Sequence, residues 1–294
     1  MNMHVQGAGY DHLSGILWAK AICAISQSRP SISNFKVGAA ALVGGMGGYR
    51  TIRGYNMEFR NGDSLHAEEN LVGGLEAGEK IHRVVIVGQN DNLLAPCGNC
   101  REVLISHSAE NAAVLVDSDV NQQTWLPLKN LLPSLYINEI RQEVLPPTAL
   151  VGRLFLEAKN ILEDKPYNPY TGWNEAAALF VGDEVFAATL MGDAAYHHQH
   201  AVEIVLGMAD AARKRRPSAL LYMKNGSSPV FPCGRCRQKL YEAAQRPGVS
   251  LPGRGNELPV LAASPEGQIW FSTIGRLLPF AFGPADLGID LSGF

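Results

Sequence analysis

The chain has 294 residues, of which 46% are hydrophobic and 18% charged, with a formal net charge of -3. Such a composition marks a globular protein with ample core material, enough for one large domain or two ordinary ones. The mild negative charge argues against a surface built to neutralise a nucleic-acid backbone, and no apolar run of about twenty residues offers a membrane span. The first residues lack the basic flank and cleavage-like ending of a secretory leader. The expected location is the cytoplasm, with neither a membrane nor a nucleic-acid partner.

In chain order, a helical pattern over Leu13–Ser26 comes first and carries Cys23, expected as a small buried residue. A polar Pro/Ser turn leads into a predicted strand, Val37–Val43. The run "GGMGGYRTIRGYN" then reads as a glycine-rich hairpin with its return strand at Tyr49–Tyr55. "LHAEENL", at Leu65–Leu71, opens a predicted helix over His66–Leu75 that stops at Gly78. Arg83–Gly88 is a short apolar strand, "PCGNCREVLISHS" a helix entered at Pro96, and Ala112–Asp117 a further strand. Strands alternating with helices predict an α/β fold, a mixed sheet covered by helices in layers.

The same order recurs further on. "APCGNCRE" at Ala95–Glu102 returns as "FPCGRCRQ" at Phe231–Gln238, and "HAEENLVGGLEAG" from His66 returns weakly as "HAVEIVLGMADAA" from His200. "FKVGAAAL" ending at Leu42 faces "WNEAAAL" ending at Leu179, and "LLPSLY" at Leu131–Tyr136 faces "LLPFAF" at Leu277–Phe282. Two copies of one domain are therefore expected. Pro146-Pro147 interrupts any helix, so the boundary is placed there: 1–147 for the first domain and 148–294 for the second.

Two Cys-x-x-Cys pairs, Cys97/Cys100 and Cys233/Cys236, hold four of the five cysteines. In a reducing compartment such pairs point to metal or redox chemistry rather than to a disulfide framework. A thioredoxin-like redox pair would leave His66 and Glu68 without a role. Imidazole and two thiolates from His66, Cys97 and Cys100 suit zinc, and three protein ligands leave one position open, as catalytic zinc requires. A purely structural zinc would want a fourth ligand, for which His82 and His107 are the nearby candidates. Two residues between the cysteines let both sulfurs face one ion from a helix's first turn, where the helix dipole favours thiolate. Arg101 either offsets that thiolate charge or is a solvated helix residue. Glu68, two residues from His66, is placed to move protons, whereas Glu69 fits the solvated face of the helix. His-x-Glu with a later Pro-Cys-x-x-Cys is the known signature of zinc-dependent nucleobase deaminases.

With those motifs, "SNFKVGAAA" at Ser33–Ala41 and "YNMEF" at Tyr55–Phe59, the first copy resembles the cytidine deaminases. The resemblance implies a zinc held by His66, Cys97 and Cys100, with Glu68 as the catalytic proton shuttle. It implies ribose binding by Asn56 and Glu58, where a hairpin-end hydrogen-bonding role would be the default for those two alone. Phe35 would pack on the pyrimidine, and the backbone of Ala67 and the carbonyl of Ala95 would bond the base. The substrates implied are cytidine and deoxycytidine, converted to uridine and deoxyuridine with release of ammonia in pyrimidine salvage. A modified nucleoside or aminonucleoside antibiotic would share every zinc residue, and a zinc-containing nucleoside-binding protein without turnover is a third reading. One histidine, two cysteines and a duplicated chain resemble the long dimeric class, so a homodimer is expected. Either Tyr136 or Phe282 would supply an aromatic to a neighbouring site.

The second copy keeps His200, Cys233 and Cys236 as a possible second metal site. It carries Val202 at the position of Glu68, and Leu190 and Gly192 at the positions of Asn56 and Glu58. It is expected to be catalytically degenerate, with His197 or His198 as possible extra ligands. The alternative has Glu203 acting as a base on another small substrate. The basic run "ARKRRPS" reads as a solvated helix end.

Overall fold

The structure, a computed structural model, describes residues 12–59, 64–119, 122–133, 148–164, 173–192, 198–214, 216–245, 257–281 and 283. It forms two compact units, Met1–Leu131 and Leu132–Phe294.

The first unit runs α1 (His12–Ile25), β1 (Val37–Gly45), β2 (Gly48–Tyr55), β3 (Met57–Glu58), β4 (Ser64–Leu65), α2 (Ala67–Val72), β5 (Lys80–Gly88), α3 (Gly98–Ser106), β6 (Ser108–Asp119), β7 (Gln122–Pro127) and α4 (Leu128–Leu131). Its five-stranded sheet has the order β2-β1-β5-β6-β7, and β3 pairs separately with β4. Only β5 and β6 run parallel, so the sheet is mixed. Both of its faces are covered, which explains why "VGAAALV" and "RVVIVG" read as continuous apolar runs rather than alternating ones. On one face Leu17 and Ala21 of α1 meet Ala40, Val85, Val87 and Leu115. Gly38, on that face, lets the helix backbone approach, since a Cβ there would lie 2.1 Å from the Ala21 carbonyl oxygen. The other face takes α2. Gly54 lies opposite Ala39, and a Cβ on it would come 2.2 Å from the Ala67 carbonyl oxygen.

The second unit repeats the pattern: α5 (Thr148–Asp164), β8 (Glu175–Val181), β9 (Glu184–Thr189), β10 (Met191–Gly192), β11 (His198–Gln199), α6 (Ala201–Ala211), β12 (Pro217–Lys224), α7 (Gly234–Ala244), β13 (Pro259–Ala263), β14 (Ile269–Thr273) and α8 (Ile274–Leu277). The sheet order β14-β13-β12-β8-β9 is that of the first sheet, again with a single parallel pair, β12 and β13. Val151, Leu154 and Ala158 of α5 pack against Ala176, Ala178, Leu221 and Met223. This is an α/β architecture of two mixed sheets covered by helices. Among the described residues no helix is long and apolar enough to cross a membrane.

Three expectations need correction. The match of Leu42 with Leu179 is one place out. Leu42 sits opposite Arg83 just before a bulge, and the residue in that situation in the second sheet is Phe180, opposite Ala219. A run of alanines cannot fix its own register, whereas hydrogen-bonded partners do. The helix opened by "LHAEENL" ends at Val72, with Gly73 as its cap, rather than running on to Leu75. Two successive glycines each cost about 1 kcal/mol in a helix, enough to end so short an element. Cys23 is exposed, because the buried stripe of α1 is Ser14, Leu17, Ala21 and Ala24.

Candidate metal centre and active site

The two helix starts of the first unit build the site. His66 is the N-cap of α2 and Cys97 the N-cap of α3, with Cys100 in the first turn of α3. Their ligand atoms all lie within 4.8 Å of one another. His66 Nδ1 is 3.5 Å from Cys97 Sγ and 3.3 Å from Cys100 Sγ. Zinc–sulfur and zinc–nitrogen bonds of ordinary length place such atoms about 3.6 Å apart around one tetrahedral ion. The donor set and its spacing therefore fit zinc. His82 and His107 take no part, since one ring packs edge-on to Tyr49 and the other bonds the Val103 carbonyl.

The protons on this triad are arranged as a cation would arrange charge. A hydrogen bond to Cys97 lifts the His66 pKa to about 9 against the cost of burial. Hydrogen bonding by Cys100 and by His66 holds Cys97 well below the usual thiol range, although burial opposes this. Cys100 is pushed well above it, by burial first and then as the donor to Cys97. His66 and Cys100 thus favour their protonated forms, and a divalent ion bound among the three ligands would displace those protons.

Glu68 is buried at the first turn of α2 and shares a hydrogen bond with Cys100. Burial, followed by the negative charge of Cys97, raises its pKa to about 7. A carboxyl group poised there can take and return protons near neutrality. Glu69 is not a solvated residue. Its carboxylate accepts the His66 backbone N–H at 2.8 Å and the Asn99 side-chain amide at 2.7 Å, closing a capping box and joining α2 to α3. The His-x-x-Glu spacing carried that signal. Arg101 is not a solvated helix residue. It is fully buried, and its guanidinium donates to the carbonyls of Pro96 at 2.7 Å and Leu131 at 2.6 Å. It thereby fixes the approach to α3 against the end of α4.

Asn56 and Glu58 lie at the end of the first hairpin. Asn56 Oδ1 accepts the Val37 N–H at 2.9 Å and the Ser28 hydroxyl, while Nδ2 donates to the Phe35 carbonyl at 2.9 Å. The default hairpin-end role of this residue is thus present, with one amide hydrogen left for another acceptor. Glu58 accepts from the Ile32 N–H at 2.6 Å, the Ser33 N–H at 2.8 Å and the Ser33 hydroxyl at 2.5 Å. Burial raises its pKa, but the Ser33 and Ile32 bonds outweigh that and hold it below the usual value. The supporting roles of Ser28 and Ser33 had no signal in the sequence. Phe35 is half-buried over the end of β5, its ring 3.3 Å from where a Cβ on Gly88 would stand. Ala67 is buried at the start of α2. Ala95 is half-buried in the segment that the Leu94 N–H, donating to Ile86, pins along β5.

The second unit brings His200, Cys233 and Cys236 together in the same way, with His200 Nδ1 3.5 Å from Cys233 Sγ. Val202 is buried where Glu68 would stand. Glu203 repeats the cap of Glu69, accepting the His200 N–H at 2.9 Å, and it also holds Arg235 at 2.8 Å and Lys239. Burial opposes its ionisation, but the Lys239 and His200 bonds keep its pKa low, so it is ill-suited to carry a proton. His197, Tyr136, Phe282 and the side chain of His198 lie outside the described residues.

The geometry defines a zinc-binding centre with a proton-carrying carboxylate beside it. Residues 16–116 match the family described as the cytidine and deoxycytidylate deaminase zinc-binding region. A cytidine deaminase of Mycobacterium tuberculosis is 35% identical over 107 residues, which cover 35% of this chain and 74% of that protein. A cytidine deaminase of Sporosarcina psychrophila is 28% identical over 141 residues, 47% of this chain and 94% of that protein. A crystal structure of the Mycobacterium tuberculosis cytidine deaminase matches at 30% identity over 44% of this chain and 100% of its own, with a TM-score of 0.37. The chain belongs to the cytidine deaminase family. It is a zinc-dependent hydrolase of that class, acting on cytidine-type substrates.

Proposed function

We propose that the first domain, 1–147, deaminates cytidine and deoxycytidine to uridine and deoxyuridine with release of ammonia, as a step of pyrimidine salvage. The observation that carries this reading is the buried Glu68 carboxyl group beside the triad of His66, Cys97 and Cys100. Those three residues would hold zinc. When bound, zinc supplies the Lewis acidity that makes water a nucleophile at neutral pH. Glu68 takes a proton from the attacking water and passes it to ring N3, which opens C4 to addition. The same carboxylate then carries a proton to the amino group, which leaves as ammonia. Asn56, through its remaining N–H, and Glu58, through its lone pairs, orient the ribose. Phe35 packs on the base, and the Ala67 backbone and the Ala95 carbonyl bond its edge.

The test is loss of ultraviolet absorbance on adding cytidine or deoxycytidine, with none on adding adenosine or free cytosine. Glu68→Gln should keep its zinc and lose turnover, and wild-type-like turnover in that variant would overturn the reading. A second reading, a nucleoside altered in its sugar, is favoured by one observation. Asn56 and Glu58 are each engaged by several groups of the protein itself. Deaminated product from such a nucleoside but not from cytidine would select it.

We also read the second domain, 148–294, as a copy of the first that has lost catalysis, and the protein as a cytoplasmic homodimer. The matching sheet orders support duplication. Exposed Ile32 and Phe59, flanking Glu58, support an apolar contact near the site.

A further inference from the structure

The acid missing from the second site has not vanished from its surroundings. Val37, the first residue of β1, sits opposite Gly88, and the residue in the same place of the second sheet is Glu175, opposite Lys224. Ile86 of β5 is likewise replaced by Tyr222 of β12. Both side chains point to the face that carries α6, since their neighbours Ala176, Leu221 and Met223 face α5. Glu175 is 1% exposed. One of its oxygens accepts the Ala201 backbone N–H at 2.9 Å and the other the Tyr222 hydroxyl at 2.6 Å. The oxygen bonded to Ala201 also lies 3.7 Å from His200 Nδ1. Ala201 is the counterpart of Ala67, whose backbone is read above as a contact for the base. With its two oxygens held by one phenol and one amide, the Glu175 carboxyl group lies against His200 and so borders the place enclosed by His200, Cys233 and Cys236.

We infer that His200, Cys233 and Cys236 bind a second zinc, and that Glu175 is its fourth ligand, closing the position that the first site keeps for substrate. The Glu175 oxygen stands 3.7 Å from His200 Nδ1, against about 3.4 Å for nitrogen and oxygen ligands on one tetrahedral zinc. A turn of the carboxylate toward the two sulfurs would bring it into the cluster of His200, Cys233 and Cys236. The exchange of three residues between the copies has a single meaning on this view. Glu68 gives way to Val202, so no proton shuttle remains. Val37 and Ile86 give way to Glu175 and Tyr222, so the apolar floor of a base pocket becomes an acid and the hydroxyl that orients it. The second metal is structural, and the proposal does not rest on the substrate chosen for the first site.

The test uses the full chain loaded with zinc and then freed of excess metal. Elemental analysis should give two zinc ions per chain, and one in Cys97→Ser/Cys100→Ser, the remaining ion being that of the second site. Cobalt(II) substitution then reads closure, because thiolate-bound cobalt has visible bands that shift when a new ligand enters. Azide should shift the bands of one cobalt of the wild-type pair and leave the other unchanged. It should leave the single cobalt of Cys97→Ser/Cys100→Ser unchanged and shift it once Glu175→Ala is added. A single zinc in the wild-type chain overturns the site. Two cobalt ions that both respond to azide in the wild type overturn the role of Glu175, whether or not the Glu175→Ala chain folds.

Discussion

At the start of α2 the histidine is followed two places later by Glu68; at the start of α6 the same place holds Val202, and an acid rises instead from the strand below as Glu175. The triads themselves hardly differ, since the histidine-to-first-cysteine distance is 3.5 Å in both. Metal-binding capacity therefore belongs to the helix starts, a local device that survived in both units. What can be done at the metal is decided by the wall from which a carboxylate approaches. On the roles proposed above, an acid on the helix, buried beside a thiol, carries protons, whereas an acid on the strand closes the space.

The comparison breaks most sharply at Glu68. Glu68→Val, which writes the second site's residue into the first, should lower turnover at least about 10³-fold while elemental analysis finds the zinc content unchanged. More than a tenth of wild-type turnover would mean that the two sites are not separated by this residue. Next come the buried arginines. Arg101→Met strands the carbonyls of Pro96 and Leu131, and Arg237→Met strands those of Pro232, Pro133 and Leu277. Each change should cost about 3 kcal/mol in urea unfolding, because each leaves buried carbonyl acceptors unpaired. Negligible losses would show that these side chains are not the braces they resemble.

A smaller effect is expected at Gly54, where an added methyl meets the Ala67 carbonyl oxygen at 2.2 Å. The residue in its place in the second sheet is already alanine, Ala188, opposite Ala177. Gly54→Ala should cost about 2 kcal/mol of stability and impair turnover by displacing α2. Ala188→Gly should leave turnover unchanged. Proton release sharpens the comparison without any substitution. His66, at about 9, and Cys100, above the usual thiol range, both carry protons at pH 7. Zinc uptake by the metal-free chain should therefore expel at least about two protons per ion, and affinity should rise as pH climbs from 7 towards 9. His200, at about 9, with Cys233, at about 4, repeats the pattern, so a dye-indicator titration should give the same stoichiometry for both ions.

The two triads were legible because each member belongs to a short motif whose geometry is local: an N-cap histidine, and an N-cap cysteine with a second cysteine three places on. The layered fold was legible for a similar reason, since "VGAAALV" and "RVVIVG" are apolar throughout, as strands covered on both faces must be. The rest depended on partners far away in the chain. Arg101 looked like a surface residue because nothing near it in sequence reveals the carbonyl of Leu131. Glu175 stands at the head of an alanine run whose register cannot be read from itself, so its approach to His200 emerges only once β8 is paired with β12. Cys23 was misplaced by one position, beside buried Ala24, on a helix whose small residues make a faint stripe. Glu69 was a miss with a readable signal, the capping-box spacing after His66, as was the end of α2 at its two glycines.

The bridge from Glu69 to Asn99 bears on how the ion is captured. At six residues, α2 is too short to hold its shape unaided. The Glu69 carboxylate fixes it at both its own first turn and the neighbouring helix, so the imidazole and the two sulfurs are already fixed relative to one another before any ion arrives. The entropy of gathering three ligands is then spent during folding rather than during capture. The protein meets the metal as a rigid macrocycle does, and stripping the ion with a chelator should leave an intact receptor ready to be refilled.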